Sequence, residues 1–118
     1  MDDTWFSGMT DELARCLVDA ETCAEACERL LEAAKQSADA DVQQRLADAL
    51  VAPAAVARVM IELIDQPELV LVAARLCRDR GQEAITELVA LGGRIDGAEA
   101  LPALRAHVAS CTRLLDST

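Results

Sequence analysis

Tyrosine is missing from this sequence, and Trp5 and Phe6 are its only aromatic residues. A core without rings has to be filled by Ala, Leu and Val, small side chains that suit closely packed helices. Glycine and proline are scarce, at 5 and 3 residues, too few for an all-β protein with its many tight turns. Basic residues are outnumbered 11 to 21 by acidic ones, giving a formal net charge of −10. That deficit argues against a nucleic-acid partner, because Lys and Arg are what neutralise phosphate. It also argues against an anionic membrane surface. No apolar run approaches the roughly 20 residues of a spanning helix, so no membrane partner is expected. Met1-Asp2-Asp3 is acidic and leads into no apolar stretch with a cleavage site. The expectation is therefore a chain without a secretory signal, in the cytoplasm.

Catalytic and cofactor motifs are missing too. There is no paired CxxC, no GxGxxG or Walker A stretch, and no Glu-x-x-His on a helical pattern. With one histidine and no nucleophile motif, the chain is not expected to be an enzyme.

What is present is helix. The 118 residues, 53% of them hydrophobic, are one domain's worth and enough for a core that needs no disulfide staples. Residues 1–9 read as an N-terminal arm carrying Trp5 and Phe6. Residues 10–118 read as an all-α, antiparallel up-down-up-down four-helix bundle, with helices at about 10–36, 40–64, 66–91 and 97–115. The first opens on Thr10 as N-cap, and Leu13, Cys16, Ala20, Cys23, Cys27, Leu30 and Ala34 recur on one face. The second, capped by Asp39 or Asp41, carries Val42, Leu46, Ala49, Pro53, Val56, Met60 and Leu63. Pro53 in mid-pattern predicts a bend or a helix in two halves. The third starts on a capping box of Asp65 and Glu68 with Pro67 in the first turn, and stops at Gly92-Gly93. Its stripe is Val70, Ala73, Cys77, Gly81, Ala84, Leu88 and Leu91. Residues 69–74 are apolar on every side, which suggests cover by a second chain, a homo-oligomer, or in part by the Trp5–Phe6 arm. The fourth follows a second capping box, Asp96 to Glu99, and carries Leu101, Leu104, Val108, Cys111 and Leu115.

Five cysteines, Cys16, Cys23, Cys27, Cys77 and Cys111, make an odd count that does not fit a disulfide framework in a cytoplasmic chain. Reduced thiols remain, as small core hydrophobes or as metal ligands. Cys23-Ala24-Glu25-Ala26-Cys27 puts two thiols at i and i+4, with Cβ atoms roughly 5–6 Å apart. Two thiolates so placed can span Cu(I), and soft sulfur selects Cu(I) and zinc over harder cations. At a rise of ~1.5 Å per residue, antiparallel packing sets Cys111 and Met60 near Cys16, and parallel packing sets Cys77 near residue 21. His107 falls near the level of Asp19 but one position off the stripe, at the rim. The metal candidates are thus Cys16, Cys23, Cys27, Cys77, Cys111, Met60 and His107. The plainer reading keeps the cysteines and Met60 as packing atoms and His107 as a rim residue.

Residues 16–34, CLVDAETCAEACERLLEAA, resemble the first long helix of the cysteine-rich four-helix-bundle copper storage proteins. The likeness extends to Cys77 in ARLCRDRG and Cys111 in AHVASCTRLL. It implies a bundle that holds Cu(I) on core cysteines, from a bacterial family that commonly assembles as tetramers. That family has several Cys-x3-Cys pairs and this chain has one. Ala20 stands where a partner for Cys16 would sit, and helix two has no cysteine. The function the resemblance implies is Cu(I) binding of reduced capacity. The alternative is a metal-free oligomerisation or interaction module that kept the fold and lost most ligands.

Overall fold

The structure, a computed structural model, describes residues 3–118, with side chains from residue 11 onward. Four helices follow one another: α1 (Asp3–Ala34), α2 (Ala40–Glu62), α3 (Pro67–Leu91) and α4 (Ala100–Asp116), with a 3-10 turn at Gly92–Arg94 between the last two. Each packs on two neighbours, α1 on α2, α2 on α3, α3 on α4 and α4 back on α1. This is the expected four-helix bundle, and the described residues contain no strand. Short connections make successive helices antiparallel neighbours. Ion pairs tie both ends: Arg94 to Asp39 at 2.9 Å and Asp41 at 3.1 Å where the two long loops meet, and Arg113 to Glu12 at 3.7 Å at the other end. All are exposed enough to contribute little each.

The helix boundaries differ from expectation in ways that have physical causes. α1 spans Asp3–Ala34, so Thr10 falls inside the helix and is not its N-cap. The proposed Trp5–Phe6 cover of α3 lies outside the described side chains. Asp39 does cap α2, accepting from the backbone N–H of Asp41 and Val42 at 3.1 and 3.2 Å. The box read at Asp65 does not form. Gln66 is the N-cap of α3 and makes no side-chain bond, while Pro67 takes the first helical position, where its missing N–H costs nothing. Likewise Glu99 caps α4 without a side-chain bond, and Asp96 closes a local turn on the N–H of Ala98 at 3.3 Å. Pro53 breaks nothing: α2 is a single helix through it. The proline is buried, so its packing against the core offsets the one hydrogen bond it cannot donate. Gly92 ends α3 at φ +52, returning its N–H to the Leu88 carbonyl, a conformation that favours glycine.

The core divides along the bundle. One cluster centres on Leu46, Leu50, Leu88, Leu91 and Leu104 and includes Cys23 and Cys27. The other holds Cys16, Met60, Cys77 and Cys111 among alanines, Val70 and Leu114. At one level α3 and α4 come so close that a Cβ on Gly81 would lie 2.7 Å from Val108 Cγ2.

Candidate metal centre

The sulfur-rich cluster draws on all four helices. Cys16 on α1 faces Cys111 on α4, with the two Sγ atoms 3.5 Å apart. Met60 on α2 brings its Sδ within 3.9 Å of the same Cys16 Sγ. Those are the neighbours that helical rise and antiparallel packing imply. All five cysteines are reduced and buried, and 3.5 Å is far beyond the roughly 2.05 Å of a disulfide.

His107 is where the sequence reading fails. Expected at the rim, it is buried, with 3% of its surface exposed. The buried face of α4 runs through Ala100, Leu104, His107, Cys111 and Leu114. Leu101, Val108 and Leu115, assigned to the stripe, are half-buried flanks. The ring lies beside the thiols of Cys16 and Cys23 and responds to both. Its Nε2 has no hydrogen-bond partner. A buried polar atom left unpaired costs about 1–3 kcal/mol, so an imidazole here is not explained by packing.

Cys16, His107 and Cys111 each offer a ligand atom, and the three atoms lie within 4.8 Å of one another. Two thiolates sharing one ion at a metal–sulfur distance of about 2.3 Å would be about 3.8 Å apart in a tetrahedral site and wider in a trigonal one. The observed 3.5 Å needs only a small rotamer adjustment. The group could hold a metal ion, and its donors, two sulfurs and an imidazole nitrogen, are those soft and borderline metals prefer.

The other candidates adjoin this group. Cys77 packs in the same cluster as Cys16, Met60 and Cys111. Cys23 and Cys27, one turn apart on α1, lie in the leucine-rich cluster, with Cys23 near His107. The structure thus brings Cys16, Met60, Cys111 and His107 together, with Cys77 in the same cluster and Cys23 and Cys27 in the adjoining one.

The charges follow from these contacts. The bond from Cys27 holds the Cys23 thiol down at about 6, helped by His107 against the effect of burial. Cys27, the proton donor in that pair, is pushed up by the same bond and by burial. Cys16 is raised by its bond to Cys111 and by burial. The Cys16 bond pulls Cys111 down, but the Cys77 bond and burial outweigh it and leave it raised. Burial pulls His107 down, and its contacts with Cys16 and Cys23 more than reverse this, lifting it to about 9.

A four-helix bundle with a buried Cys–His–Cys group able to hold a metal is the class that fold and site define. No protein-family model, curated protein or solved structure matches the chain. No described helix is long and apolar enough to cross a membrane.

Proposed function

We propose that this chain binds a soft metal ion, Cu(I), inside its bundle, as a low-capacity copper-handling protein and not as an enzyme. Cys16, Cys111 and His107 would hold the first ion, and Cys23 with Cys27 offers a two-sulfur position for a second. The observation that carries the reading is the buried Nε2 of His107, unpartnered in a ring flanked by thiols. Thiols alone would suit a plain apolar core, but an unpaired imidazole would not. Cu(I) is preferred over zinc because Met60 adds a thioether 3.9 Å from Cys16, and thioether sulfur favours Cu(I). The likeness of α1 to the copper storage proteins belongs to the same proposal, as do a bacterial source, a cytoplasmic setting and a homo-oligomeric state.

Anaerobic Cu(I) titration against a strong chelator tests it. The reduced protein is expected to win one ion tightly and a second more weakly, with Cys16→Ala/Cys111→Ala abolishing the first. Met60→Leu is expected to narrow the preference for Cu(I) over zinc. Failure to compete with all five thiols reduced would refute the reading. The second reading, a metal-free interaction module, is favoured by one feature, the apolar groove between α2 and α3.

A further inference from the structure

The α2–α3 face carries a surface that the core does not use. Val56, Val59, Leu63, Leu69, Val72 and Leu76 surround Ala73 in a groove of about 280 Å³ lined only by apolar residues. Val59, Leu69, Val72 and Leu76 are 47%, 45%, 53% and 44% exposed, values that belong to a surface and not to the edge of a core. Positions 69, 72 and 76 follow the three-four spacing of a single helical stripe. The stripe is continuous across two helices, on a chain whose net charge is −10. Contiguous apolar surface of that kind marks an interaction site.

We propose that a second copy of this chain covers the groove, with α3 packed antiparallel on α3 of the partner subunit about a twofold axis beside Val72. The charges that flank the stripe select this occupant. Glu68 lies four residues before Val72 and Arg75 three residues after it, and both are exposed. Seven residues fall about 20° short of two full turns, so Glu68 and Arg75 stand on the same side of α3, along one edge of the stripe. A twofold rotation that sets Val72 on the partner's Val72 brings Glu68 opposite the partner's Arg75, and repeats the pairing at the other end. Parallel packing about a twofold along the helices would put the two charged edges on opposite sides of the seam, where Glu68 and Arg75 could not pair. An isologous interface has to be self-complementary in this way. The floor of the groove, Ala73 and Val56, packs on the cluster that holds Met60 and Cys77, so the partner would also shield the sulfur-rich half from water. The proposal rests on the homo-oligomer of the preceding reading and gives it a surface, and its test on metal-free chain is read separately from copper binding.

Sedimentation equilibrium on the full, reduced, metal-free chain at micromolar concentration tests it. The expected species is a dimer that Val72→Arg converts to monomer with the helical circular dichroism unchanged. Glu68→Arg and Arg75→Glu should each weaken association by roughly fivefold, and the double swap should restore it. That swap still decides the matter should Val72→Arg fail to fold. A monomeric wild type would overturn the proposal and leave the groove to a different protein or a small apolar ligand. So would an assembly indifferent to Val72→Arg, or a double swap no better than either single change.

Discussion

The two halves of the bundle bury the same kind of helix faces with different chemistry. Towards the end where the two longer loops meet, Leu46, Leu50, Leu88, Leu91 and Leu104 interlock as branched aliphatic side chains. In the other half, Cys16, Met60, Cys77 and Cys111 occupy the equivalent interior and Leu114 is the one fully buried leucine described there. Leucine contributes area and shape, so that half supplies most of the folding free energy per residue. Cysteine fills a core position with little more volume than alanine and leaves a reactive sulfur there. The comparison sets the leucine-rich packing apart from the Cys16–His107–Cys111 group, although Cys23 and Cys27 carry two thiols into the leucine-rich half.

The sharpest way to break that division is to truncate one residue on each side. Leu50→Ala should cost about 2–5 kcal/mol in urea unfolding and leave the Cu(I) affinity of the folded protein unchanged. Cys111→Ala should cost about 1 kcal/mol while lowering Cu(I) affinity by more than the roughly 10–100-fold typical of outer-shell changes. Equal stability losses would erase the distinction. Next in size is a pH effect. Cys16 and Cys111 titrate above the ordinary thiol value, so both are protonated in the metal-free protein near neutrality. Each must release its proton to ligate, so affinity should rise about tenfold per pH unit per proton released. A chelator competition series from acid to neutral pH reads the slope, and a flat profile would exclude these two thiols as ligands.

His107→Leu comes next. Leu removes a buried Nε2 that has no partner, so the metal-free stability should rise by about 1–3 kcal/mol. Cu(I) binding should nonetheless weaken clearly in the same variant. The smallest effect lies at the leucine-rich end. Asp39→Ala removes the cap of α2 and its pairing with Arg94, lowering the urea midpoint with no change in metal binding. The Arg94 guanidinium and the backbone N–H of Val42 hold the Asp39 carboxyl below its ordinary 3.8. A carboxyl depressed on folding stabilises above its unfolded pKa, and the gain is lost as pH falls through the folded value. The gap between wild type and variant should therefore be full above about pH 4 and close on further acidification.

Much of this was legible in the residues themselves. The α3 stripe, from Val70 through Cys77 and Gly81 to Leu91, is buried throughout, because every member is small or aliphatic and the spacing is unambiguous. The meeting of Cys111 and Met60 at Cys16 follows from rise per residue alone. α4 was misread because a histidine was counted as polar. That turned the apparent stripe towards Leu101 and Val108, although 100, 104, 107, 111 and 114 keep equally good helical spacing. On α2 the stripe holds at Val42, Leu46, Pro53 and Met60, while Leu50, Ala54 and Ala57 are buried and Ala49, Val56 and Leu63 are half-buried flanks. The boxes at Asp65 and Asp96 carry the right letters, but backbone geometry at each start sends those side chains elsewhere. The orphaned Nε2 has no signal in the sequence, since a missing partner appears only when α1 and α4 are packed together.

Gly81 has a last consequence. It sits one turn after Cys77, and Val108, which it nearly touches, follows His107 directly. The absent methyl group thus acts as a calliper, fixing the gap between two helices at the level where their sulfur and nitrogen donors enter the interior. A lineage could retune which ion fits by changing that single hydrogen to something larger, leaving every donor in place.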